Sequence, residues 1–263
     1  MLMKIRRYLV LLAWLVTVST HADIFVIVHG GWAGGYEFKA VDQMLTEQGH
    51  TVYRPTLTGL GERVHLARPD TSLETHIQDV VNLIEFESLR HIILVGHSYG
   101  GMVVTGVADR IPDRLCRVVY IEGLVPVDGE SVLDIHSRAA KAFPKLRRGN
   151  VVLHPRYESD APHPSSVPQP VRTVTDKIRL SGAGSKVPTQ YFLTVEAGKT
   201  AESDVFYPQA QRARALGWPV IKVSGDHNIQ RSAPALLAAL IVSQNQPNEL
   251  CLSTTEKNQQ NSP

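Results

Sequence analysis

The chain reads as an α/β protein, a mostly parallel sheet with helices on both faces, and three observations predict it. Short apolar runs recur along the body of the chain at strand length. Helical patterns with recognisable ends lie between them, the alternation that builds a parallel sheet covered on both sides. One run ends in Gly96-His97-Ser98-Tyr99-Gly100, a G-x-S-x-G pattern that requires a buried strand before it and a helix after it.

The apolar runs are Ile24–Val28, Thr51–Leu57, His91–Gly96, Arg117–Ile121, Gln190–Val195 and Pro219–Val223. The segment from Thr71 to Phe86 carries Leu73, Ile77, Val80, Val81 and Ile84 on one helical face, and Thr71 with Glu74 predicts a capping box at its start. A last helix is expected from Ser232 as N-cap, with Pro234 in its first turn. From about 125 to 187 the alternation breaks in a stretch rich in Pro, Arg, Lys and His. That is too long for a plain connection, and it begins where ligands bind in open α/β sheets, so it is expected to form an inserted cap.

The domain boundaries follow: 1–22 a targeting segment, 23–245 the globular domain with its cap, 246–263 a polar tail. The first segment has a basic start, an apolar run from Tyr8 to Val18 and a small-residue end at Ala22, which predicts an export signal and a periplasmic or secreted product. The run is too short to cross a bilayer comfortably, so no stable membrane insertion is expected after processing.

Three of the 27 Lys and Arg residues, Lys4, Arg6 and Arg7, lie in that segment, leaving 24 basic against 25 acidic side chains in the rest. A near-neutral body gives no electrostatic case for nucleic acid. Cys116 opens an apolar run and is expected to be a buried thiol, while Cys251 lies in the tail. His136, His154 and His163 are too scattered to suggest a metal site, and no metal or cofactor is expected.

Ser98 has the context of a nucleophile. Glycine at 96 and 100 permits a turn so sharp that side chains there would strike neighbouring backbone, and the following helix presents its positive end to a developing oxyanion. A serine hydroxyl needs a base. His227, after the last strand run, has the residue type and the place for it. His29 and His97 are expected to pack the loop and the turn. Backbone donors for the oxyanion are expected from the amide of Tyr99 and from the small-residue loop that contains Gly30, Gly31 and Trp32.

The acid that orients His227 stays open between Glu196 and Glu122, each at the end of a strand run, with Glu202 and Asp204 weaker candidates. Chain order favours Glu196.

These residues resemble the α/β-hydrolase superfamily, and within it the branch of hydroxynitrile lyases and methyl esterases with their bacterial esterase relatives. The resemblance rests on FVIVHGGWAGG, RPTLTGLGERVHL, LVGHSYGGMV, VYIEGLVPVDGES and GDHNIQRSAP, which span most of Ile24 to Leu240 outside the cap. It implies an α/β-hydrolase fold and a cofactor-free serine hydrolase acting on small or medium esters. Ser98 would be the nucleophile, His227 the base, and the amides of Gly31 and Tyr99 the oxyanion donors. The family's usual aspartate position is Ala197 here, which raises Glu122 as an alternative acid.

Members that cleave cyanohydrins tend to carry threonine after the first-strand histidine and lysine after the catalytic one. This chain has Gly30 and Asn228 at those places. The expectation is therefore a carboxylesterase with a small-molecule ester substrate. The alternatives are lyase or C–C cleavage on the same triad, and a low-turnover ligand-binding homologue. The sequence allows a homodimer and does not name the substrate.

Overall fold

The computed structural model describes residues 22–243. The segment expected to be an export signal, except its last residue, and the chain after 243, Cys251 included, lie outside them. In chain order the elements of the first half are β1 (Ile24–Val28), α1 (Lys39–Glu47), β2 (Thr51–Tyr53), α2 (Leu73–Phe86), β3 (Ile92–His97), α3 (Gly100–Arg110) and β4 (Leu115–Ile121). The cap follows: α4 (Val132–Ile135), α5 (Ser137–Leu146), β5 (Arg147–Arg148), β6 (Val151–Val152), β7 (Gln169–Pro170) and α6 (Arg172–Thr175). The chain then completes the sheet with β8 (Thr189–Val195), α7 (Tyr207–Ala215), β9 (Val220–Ser224), α8 (Ile229–Ser232) and α9 (Pro234–Ser243).

The main sheet has six strands in the order β2-β1-β3-β4-β8-β9, all pairs parallel. Successive side chains of a strand face opposite sides, and the sequence uses both. Val26, Val28, Leu94, Tyr120 and Leu193 face a core with α2, α3 and α7, whereas Phe25, Ile27, Ile93, Val95 and Phe192 face α1 and α9. Apolar residues on both faces are the reason these strands read as continuous apolar runs.

Differences from the sequence expectation have local causes. The run from Thr51 to Leu57 leaves the sheet after Tyr53, because Pro55 has no amide to donate and the Leu57 amide donates to His29 instead. The helix α2 is capped by Ser72 and Thr75 rather than Thr71 and Glu74; the Thr71 hydroxyl is occupied by the Arg68 amide, and Glu74 pairs with Arg110. Ser232 closes the short α8, and α9 opens at Pro234. Cys116 is disulfide-bonded, which corrects the expected free thiol.

The cap region between β4 and β8 carries a three-stranded antiparallel sheet, order β5-β6-β7. Its return leg is pinned to the core at Asp109, at the end of α3, which accepts from the amides of Ser181 and Gly182. Ile178 and Gly129 tie its two legs to each other through backbone hydrogen bonds. Among the described residues no helix is long and apolar enough to cross a membrane.

Candidate active site

The site lies at the C-terminal edge of the sheet, where β1, β3, β4 and β9 release their loops. Five non-glycine residues among those described have positive φ, and three of them stand here: Trp32 (59°), Ser98 (53°) and Glu122 (43°). A left-handed backbone costs such residues roughly 1–2 kcal/mol each, so the surrounding structure must hold them there.

At Ser98 the backbone itself does so. The Ser98 amide donates to Ile121, and its carbonyl accepts from Gly101 and Leu124. A Cβ on Gly96 would lie 2.6 Å from Val104, and one on Gly100 would lie 2.6 Å from the Val28 carbonyl oxygen. The turn therefore requires both glycines. Tyr99 follows with its amide at the head of α3, and neither it nor the Gly31 amide donates to a backbone carbonyl among the described residues.

His227, between β9 and α8, brings Nε2 to 3.1 Å from Ser98 Oγ. Its Nδ1–H donates to Glu122 Oε2 at 2.6 Å, which leaves Nε2 as the acceptor for the serine proton. Glu122 is fully buried, and its other carboxylate oxygen accepts from the Thr194 amide at 3.0 Å.

Of the two glutamates, Glu122 meets His227, and Glu196, which chain order favours, does not. Glu196 is exposed and pairs with Lys199 at 2.7 Å, since the chain turns away from the site directly after β8. Ala197 is exposed beside it. Glu202 is exposed, and Asp204 is turned toward the Phe206 amide, so neither reaches His227.

Two rings pack on the imidazole of His227. Phe206 stacks on it with centroids 4.6 Å apart and planes 11° from parallel, and the His97 ring lies 4.7 Å away, tilted by 38°. His97 is fully buried and burial drives its pKa well down, so it is neutral; its Nε2–H donates to the His227 carbonyl at 2.7 Å. Phe206 also meets His136 edge to face. Nothing in the sequence marked Phe206, which precedes a helix with weak amphipathic pattern.

On the first-strand side, Gly30 packs against Ser98 and His97, where a Cβ would lie 3.3 and 3.1 Å from their nearest atoms. His29 accepts from the Leu57 amide and donates through Nδ1 to the Gly30 carbonyl at 2.7 Å. The three scattered histidines stay apart: His136 caps α5 and touches Phe206, His154 packs edge to face on Trp32, and His163 faces Ser165.

Comparison with known proteins follows the same lines. A family model described as the alpha/beta hydrolase family matches residues 25–242. A carbendazim-hydrolyzing esterase from Nocardioides sp. (strain SG-4G) is 34% identical over 81% of this chain and 96% of its own length. An extracellular alpha/beta-hydrolase from a Paenibacillus species, reported to share structural and functional homology with tobacco salicylic acid binding protein 2, superposes with a TM-score of 0.73 at 26% identity, covering 85% of this chain and 99% of that one. A methylesterase protein from Arabidopsis shares the fold, with a TM-score of 0.66 at 20% identity over 84% of this chain and 98% of its own.

Proposed function

Because this chain belongs to the alpha/beta hydrolase family and is a carboxylesterase-like enzyme, we propose that it cleaves a small or medium carboxylic ester through an acyl-enzyme on Ser98. The observation that carries this reading is the continuous relay Ser98 Oγ, His227, Glu122, closed at 3.1 and 2.6 Å.

Ser98 Oγ attacks the ester carbonyl as His227 Nε2 takes its proton. Glu122 keeps the proton of Nδ1 in place and stabilises the imidazolium; its second oxygen, bound to the Thr194 amide, stops the carboxylate from rotating away. The amides of Gly31 and Tyr99 receive the oxyanion, helped by the head of α3. The imidazolium then protonates the leaving alkoxide, and the alcohol departs. In the second half His227 deprotonates water, which displaces the acyl group from Ser98 and restores the serine proton.

The esterase relative supports the reaction class. The lyase alternative gains no support, since Asn228 is exposed and Gly30 offers no side chain. Export is supported by the basic-then-apolar start and by the Cys116 disulfide, which suits an oxidising compartment.

The test is turnover of short p-nitrophenyl esters with a fluorophosphonate label. Ser98→Ala is expected to lose at least about four orders of magnitude in kcat/KM together with the label. A wild-type protein that neither turns over any ester nor takes the label would sink the reading.

A further inference from the structure

We propose that Gln169 and Thr173, two buried side chains of the cap, are positioning residues that hold the Gly31 arm of the oxyanion hole. This rests on the serine-hydrolase reading above and adds to it a role for residues outside the triad.

On one arm, Gln169 Oε1 accepts from the Trp32 amide at 2.9 Å, directly after Gly31. Two more bonds grip the same residue from the cap: the Val167 amide donates to the Trp32 carbonyl at 2.9 Å, and Trp32 Nε1 donates to the Val152 carbonyl at 2.9 Å. Trp32 is the strained residue of that loop, and these bonds are what hold its left-handed conformation. Gly31 is part of the fit, because a Cβ there would lie 2.7 Å from Gln169 Oε1.

Gln169 is itself held within the cap: its Nε2 donates to Thr173 Oγ1 at 2.8 Å, and Thr173 donates to the Pro170 carbonyl. The Tyr99 phenol, on the other arm, is held from the core. The same phenol meets His76 Nδ1 at 2.8 Å, whose Nε2–H donates to the Thr58 carbonyl, and Thr58 in turn is held by Asp79. His76 therefore accepts at Nδ1, and Tyr99 donates to it. The Thr56-to-Arg63 loop, conspicuous in the sequence, becomes the anchor of this network: Arg63 donates to the Thr56 carbonyl and to Thr58 Oγ1.

Gln169 and Thr173 are 1% and 0% exposed, so each lost partner leaves a dry polar atom rather than one that water can satisfy. Their effect passes through Trp32 to the Gly31 amide, so it falls on the charged transition state and not on the bound ester.

The experiment compares wild type, Thr173→Val, Thr173→Ser and Gln169→Ala on a p-nitrophenyl ester, with phenylboronic acid as the tetrahedral analogue. Thr173→Val is expected to lower kcat about tenfold with KM within about twofold, and to weaken boronate inhibition in parallel. Thr173→Ser, which keeps the hydroxyl, restores both. Unchanged kcat and boronate affinity in folded Thr173→Val, with only melting temperature reduced, would overturn the proposal. Gln169→Ala is a harsher probe, and the Val/Ser pair decides if it does not fold. Failure of the wild type to take the fluorophosphonate label would instead condemn the hydrolase reading itself.

Discussion

The two arms of the site reach the same kind of strained backbone by different means. At Ser98 the left-handed turn is fixed by main-chain hydrogen bonds within β3, β4 and α3 and by glycines that nothing larger can replace. At Trp32 a similar φ is fixed by a side chain 137 residues away, in the cap. The first arm is a property of the sheet, and the second exists only when cap and core meet. One site thus combines a turn held by the sheet with a loop held by the cap.

The sharpest way to test this division begins at the acid. Glu122→Gln is expected to reduce kcat by roughly three to four orders of magnitude, because His227 loses the partner that fixes its tautomer. Glu196→Gln is expected to stay within about twofold, since only an exposed pair with Lys199 is lost. The reverse ranking in steady-state kinetics would reject Glu122 as the acid.

A smaller effect separates the arms directly. Gly100→Ala drives a Cβ into the Val28 and His29 carbonyls and is expected to cost about 3 kcal/mol of stability, read as a lowered urea midpoint. Thr173→Val should cost only about 1 kcal/mol and show its damage in rate instead. Equal stability losses would mean that the two arms are not built differently.

A pH effect is shared by both. His29 clamps the first-strand loop and His76 the Tyr99 side, and burial lowers each from 6.5 to about 4. The unfolded chain then binds protons that the folded one refuses, so their contribution is complete above 6.5 and is lost as the pH falls toward 4. By pH 5 each is expected to have given up about 2 kcal/mol. Urea midpoints that stay level between pH 7 and pH 5 would contradict this.

How much of this was legible follows the same split. The six strands, the Ser98 turn and the place of His227 are written in local patterns: apolar runs, paired glycines, a histidine after the last strand. The carboxylate that meets His227 was not, because Glu122 and Glu196 both end strands and differ in where the chain turns next. A hint was present in Lys199, three residues after Glu196 and able to hold it at the surface. The capping box was misplaced by one residue because Thr71 and Ser72 are both good caps, and a contact with Arg68 chose between them. Gln169, Thr173 and Phe206 carry no periodic signature, and their importance arises only from what lies across the site.

The close fit between Gly31 and Gln169 also bears on how such proteins diverge. A lineage that places a side chain at 31 must first shorten or move the residue at 169, since the two compete for the same 2.7 Å of space. Inherited changes at these positions should therefore travel as pairs. A cap transplanted whole from a relative would carry the wrong half of the pair, so a change of substrate range would come bundled with a change of speed.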